Sequence, residues 1–220
     1  MRLTSLRSRL RPHLWYQLYW VIYLVWFFTL DAAVQHPKYI IHSPLDDLIP
    51  FNEWFVFPYC SWFALLALVL AVLWWRDTPS YDRLCLSMFS GMTVCLILYM
   101  IWPNGLHLRP DPASLGRDNP ALWIMRLLWA ADTSNNVCPS IHCQSTGCMA
   151  LAMWYSSLAR EHRWVRPVVV VWAGLICAST LFTKQHSVVD VVLGLGMAAL
   201  WLPVFRRGGR TLEQNSKNFV

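Results

Sequence analysis

Six stretches of mostly apolar residues, at about 14–34, 54–75, 84–103, 139–159, 167–185 and 186–205, constrain this chain more than any other feature. Each approaches the ~20 residues that a helix needs to cross a hydrocarbon core of roughly 30 Å. Composition agrees: 56% of the 220 residues are hydrophobic and only 14% are charged, against about 25% charged in an ordinary soluble domain. A single water-soluble core of this size cannot hide so much apolar surface, and the apolar fraction is far too high for a disordered chain. The expectation is an all-α, polytopic membrane bundle with six transmembrane helices, forming one integral membrane domain over residues 1–220. Helices are the expected spanning element, because backbone groups in lipid must be satisfied within the segment and no alternating ten-residue strands are present. The last two spans almost touch, which requires a tight turn near Lys184. A seventh apolar run, Ala121–Ala131, is too short to span. Asn119 stands there as a cap and Pro120 as the first helical residue, so the run reads as a short interfacial or re-entrant helix.

Charge placement orients the bundle. With a cytoplasmic N-terminus, only Lys38, Arg109, Arg117, Arg126 and Lys184 of the 18 basic residues fall on the outer side. The remainder, from Arg2, Arg7, Arg9 and Arg11 to Lys217, fall on inner segments, as the positive-inside rule requires. The net charge of +6 is thereby assigned to anionic lipid headgroups, and no nucleic acid is needed to explain it. Both termini are expected in the cytoplasm, and a bacterial cytoplasmic (inner) membrane fits the absence of glycosylation sequons and retention signals. The N-terminal stretch reads as a span and not as a secretory signal, since its apolar run is long and no small-x-small cleavage site follows. Trp and Tyr near the span ends read as interfacial anchors. Gly174, Gly194 and Gly196 read as points of close helix approach.

Ionisable residues at the mouths of such spans default to function. Arg109 follows the third span, His142 opens the fourth, and His186 and Asp190 open the sixth; by parity all face the outer side. His186 and Asp190 are four residues apart and share a helix face. That spacing lets the carboxylate fix the imidazole tautomer and leave the other nitrogen free as a nucleophile. Pro139 and Ser140 suit a helix start, whose free amides favour an anion, and His142 just inside can pass a proton to a leaving oxygen. Arg109 and Lys184 are candidates to neutralise a phosphate. The bland alternatives are a structural His–Asp pair, an interfacial histidine and snorkelling cations. His13, His36, His42 and His162 read as solvated, and His107 and the flanking Cys138 and Cys143 carry only minor expectations.

These residues resemble the motifs of the type 2 phosphatidic acid phosphatase superfamily of membrane lipid phosphatases and phosphotransferases. Arg109-Pro110 is similar to the end of the family's first motif, and Pro139-Ser140-x-His142 to its second. His186-x-x-x-Asp190, with Ser179 at the leading serine, is similar to its third. The resemblance covers roughly residues 50–205. It departs from the pattern at Trp102, where the family has Lys, and at Thr180, where it has Arg. Such an altered cation set looks more like the inositol phosphorylceramide and sphingomyelin synthase branch.

The resemblance implies a metal-independent reaction without a cofactor, through a phosphohistidine. Catalysis falls to His186, His142 and Asp190, with phosphate held by Arg109, Ser140 and Lys184 on the extracytoplasmic face. The implied partners are membrane lipids and a phospholipid, sphingolipid or isoprenoid phosphate as substrate. Two other readings remain: a membrane electron carrier with haem between two histidines, and a catalytically inactive lipid-binding or transport module.

Overall fold

Short polar side chains decide where six helices of this chain begin. A computed structural model describes residue 13, residues 15–34 and residues 36–217, with side chains through residue 209; Arg2, Arg7, Arg9 and Arg11 lie outside the described residues. The chain is mostly helical: α1 (Leu18–Ala33), α2 (Pro44–Leu48), α3 (Val56–Arg76), α4 (Thr78–Ile101), α5 (Pro120–Ala131), α6 (Ile141–Trp154), α7 (Ser157–Glu161), α8 (Val165–Phe182), α9 (Val188–Ala199) and α10 (Leu202–Lys217). Ser43, Asp77, Asn119, Ser140, Ser156 and Ser187 each accept a hydrogen bond from an amide in the first turn of the helix that follows. A helix start leaves such amides without intrahelical partners, and these caps supply acceptors. Asp77 is the whole connection between α3 and α4, and its carboxylate also accepts from Ser157 N at 2.6 Å. Asn119 and Pro120 start α5 as the sequence requires.

Among the described residues, four segments are long and apolar enough to cross a membrane: Glu53–Arg76, Thr78–Ile101, Val165–Phe182 and Val188–Gly209. The protein is therefore an integral membrane protein. The first and fourth expected spans come out shorter than that measure. Helix α1 has 16 residues, and α6 has 14, about 21 Å at 1.5 Å per residue. Helix α6 is short because Ser140 caps it at one end and the chain leaves helical geometry at Tyr155 at the other. It sits at the centre of the bundle, packed by α3, α4, α8 and α9. Gln144, Ser145 and Thr146 on it are fully buried, so its polarity is screened from lipid by neighbouring helices.

Glycines at the contacts make this packing possible: a Cβ on Gly147 of α6 would lie 2.6 Å from Ala198 Cβ of α9. A Cβ on Gly194 of α9 would lie 2.5 Å from the Ser140 carbonyl oxygen, so α9 can reach the start of α6 only without a side chain there. Gly174 and Gly196, read alike from sequence, meet no atom within 4 Å and have no such duty. A two-stranded parallel ribbon, β1 (Tyr39–Ile40) with β2 (Asn104–Gly105), ties the segment after α1 to the one after α4.

Candidate active site

The end of the bundle where α6 and α9 start gathers the sequence-predicted residues. Asn104, just after α4, is fully buried and works as a staple. Its amide donates to the Trp102 and Cys138 carbonyls at 3.0 Å each, and its oxygen accepts from Val137 N at 3.0 Å and Cys138 N at 2.9 Å. The Cys138-Pro139-Ser140 loop is thereby fixed beside the third-span loop, and Tyr99 OH adds a bond to the Pro139 carbonyl at 2.6 Å. From this loop Ser140 caps α6, its Oγ accepting from Cys143 N at 3.2 Å, while its own amide donates to the Asp190 carbonyl at 3.1 Å. Trp102 packs with Ile41, Leu106, Val137 and Cys138.

His142 lies in the first turn of α6 between aromatic rings, with Tyr59 at 4.8 Å and Trp62 at 5.0 Å between ring centroids. Its third ring neighbour is His186, at 5.8 Å and an interplanar angle of 58°. The two imidazoles therefore share one compartment, although 44 positions separate them in the chain.

His186 stands in the turn between α8 and α9. The amides of Gln185 and His186 both donate to the Thr180 carbonyl at 3.0 Å, which folds the turn back on the end of α8. Lys184 takes up the left-handed conformation, φ 57°, that this reversal demands. His186 Nδ1 lies 3.3 Å from Asp190 Oδ2, and the same oxygen accepts from Ser187 N at 2.9 Å as part of a capping box. Burial alone would depress His186; the hydrogen bond and charge of Asp190 outweigh it, so the imidazole titrates above its ordinary value.

Arg109 is fixed by three acceptors. Nη1 donates to the Asp132 carbonyl at 2.8 Å, and Nη2 donates to the Thr133 carbonyl at 2.9 Å and to Gln185 Oε1. Its guanidinium thus reaches the His186 turn. Lys184 is turned differently: Nζ donates to the Asp46 carbonyl at 2.6 Å.

Several close neighbours of these residues escaped sequence reasoning. Gln185, 3% exposed, gives its oxygen to Arg109 and leaves Nε2 buried without a partner, as is Arg109 Nε. Its signal was available, as an amide inside an apolar stretch and adjacent to His186. Asp132 couples electrostatically to Arg109 and His186, and burial raises its carboxyl above the usual range. His107 is exposed. All seven cysteines are free thiols, and Cys143 Sγ lies 3.9 Å from Thr180 Oγ1.

This is a helical membrane protein with two histidines, a carboxylate and an arginine converging beside the start of a buried helix. The model of the PAP2 superfamily matches residues 83–212, more than half of the chain, and the chain belongs to that superfamily. No curated protein and no solved structure matches it. The matched region includes Arg109, Ser140, His142, His186 and Asp190.

Proposed function

We propose that the protein is a lipid phosphatase or lipid headgroup phosphotransferase that works through a phosphohistidine, without metal. Membership of the PAP2 superfamily supports phosphatase or phosphotransferase chemistry. The observation that carries the mechanism is the pairing of His142 and His186 at 5.8 Å with Asp190 on Nδ1 of His186. In the first step His186 Nε2 attacks phosphorus, a P–N bond forms and the P–O bond to the leaving alcohol breaks. His142 gives that oxygen its proton. In the second step water or an acceptor alcohol attacks the phosphohistidine, His142 takes the incoming proton, and the P–N bond breaks. Asp190 holds the ring and offsets the positive charge that grows on it. Arg109, the Ser140 hydroxyl and the Gln185 amide surround the equatorial oxygens, and Lys184 adds positive field from the same turn. Such preorganised donors are worth most in a site that excludes water.

The topology that goes with this reading has six spans, α1 and α6 included, cytoplasmic termini and an extracytoplasmic site. A phosphate-bearing lipid then presents its headgroup to the site from the outer leaflet. The haem reading loses ground because the Tyr59 and Trp62 rings fill the space around His142 that a macrocycle needs.

The test is a panel of lipid phosphates and phosphodiesters, assayed with and without acceptor lipids and with chelator, on purified wild type, His186→Ala and His142→Ala. Turnover that survives chelation, vanishes in His186→Ala, and passes through an acid-labile, base-stable phosphoenzyme is the expected result. Normal turnover by His186→Ala, or full inhibition by chelator, overturns the mechanism. Free phosphate marks hydrolysis, and a new lipid product marks transfer.

A further inference from the structure

The segment between α1 and α3 precedes the region matched by the family model, yet it grips the turn that carries His186. Asp46 on α2 is 2% exposed. Its Oδ2 accepts from Ser187 Oγ at 2.7 Å and from Ser43 N at 2.8 Å, and its Oδ1 accepts from Val188 N at 2.8 Å. The backbone oxygen of the same residue accepts from Lys184 Nζ at 2.6 Å. Three contacts of the turn that carries His186, at Lys184, Ser187 and Val188, thus end on one aspartate about 140 positions away.

We infer that Asp46 is a positioning residue for the proposed reaction: it takes the Ser187 hydroxyl and the Val188 amide so that Asp190 remains committed to His186. The argument is one of competing donors. Two groups at the start of α9, Ser187 Oγ and Val188 N, use Asp46. Ser187 N and His186 Nδ1 use Oδ2 of Asp190. Without Asp46, the buried Ser187 hydroxyl and the half-buried Val188 amide lose their acceptor, and a desolvated donor left unpaired is costly. The carboxylate nearest to them in sequence is Asp190, only two or three residues on. Any turn of Asp190 toward those donors draws it from His186, whose bond at 3.3 Å is the longest it makes in this cluster. Loss of that bond frees the imidazole ring to rotate and withdraws the charge that offsets a phosphoimidazolium. Substrate binding through Arg109 is untouched, so the effect belongs to kcat.

The inference rests on the phosphohistidine reading, and the experiment separates the two. Asp46→Ala, Asp46→Asn and Ser43→Ala are compared with wild type for kcat, KM and affinity for orthovanadate, a phosphate-like oxyanion that an aligned histidine can bind as a fifth ligand. Loss of the partners that orient metal-ligating side chains costs about 10–100-fold; by the same argument a fall of about that size in kcat with KM unchanged is expected for Asp46→Ala, with vanadate affinity falling in parallel. Asp46→Asn, which keeps one acceptor oxygen and the shape of the side chain, is expected to recover part of the loss. It also decides the matter if the alanine variant does not fold. Ser43→Ala, which removes the α2 cap without touching the turn, is expected to keep wild-type kcat. The inference is overturned if Asp46→Asn matches wild type in kcat and vanadate affinity, if the loss lies in KM alone, or if Ser43→Ala loses as much as Asp46→Ala. A wild type that neither turns over any lipid phosphate nor binds vanadate removes the functional reading itself, and the role of Asp46 with it.

Discussion

Gln185 accepts a hydrogen bond from the guanidinium of Arg109 across 76 positions of sequence, joining the loop after α4 to the turn that carries His186. The remaining two acceptors of Arg109 are main-chain carbonyls of Asp132 and Thr133, so the planar fork is held on three sides. Lys offers a single point charge and cannot reproduce that geometry. Arg109→Lys is expected to lower kcat/KM by roughly 100-fold or more, the scale of losing a preorganised donor at a developing oxyanion. Gln185→Leu, which removes one neutral donor, is expected to cost about tenfold. Steady-state kinetics on a lipid phosphate check both, and a Lys variant with wild-type kcat/KM would remove Arg109 from phosphate binding.

Asp190 raises the titration of His186, and a histidine must be unprotonated to attack phosphorus. The rate should therefore climb as pH rises through the His186 value, which lies above the ordinary ~6.5. Asp190→Asn removes the charge that favours the imidazolium, so the ascending limb is expected to move to lower pH while the maximum rate falls. The kcat/KM profile against pH reads this directly. A limb that stays in place or moves upward assigns it to another group.

Asn104 satisfies two amides and two carbonyls from within the core. Asn104→Ala leaves several buried groups unpaired and is expected to destabilise the fold by about 2–4 kcal/mol. Because the loop it holds leads to Ser140 and His142, activity is expected to fall at temperatures where the variant is still folded. Thermal unfolding in detergent, run beside the assay, tests the pair of effects.

Gly194 and Gly196 make a matched comparison on one helix. Gly194→Ala drives a methyl against the Ser140 carbonyl, while Gly196→Ala meets open space. The first is expected to destabilise by about 1–3 kcal/mol through overpacking and to lower kcat by shifting the start of α6. The second is expected to be neutral or to stabilise by up to about 1 kcal/mol, since Ala is the better helix former. Equal melting temperatures for the two variants would contradict the close approach of α9 to α6.

The chain alone determined its mostly helical class, its membrane class, the cap at Asn119, the tight turn at Lys184 and the one-turn pairing of His186 with Asp190. Each of these depends on apolar runs or on contacts within about four residues, and such contacts follow from backbone geometry once a helix is assumed. The tertiary structure decided the rest. It put His142 and His186 in one compartment and gave Gln185 to Arg109. It also turned Lys184 onto Asp46 and brought Asp46 to Ser187, 141 positions away. Partners at such distances are chosen by how the helices pack, and Gly194 and Gly147, lacking side chains, let α9 and α6 come close enough to choose.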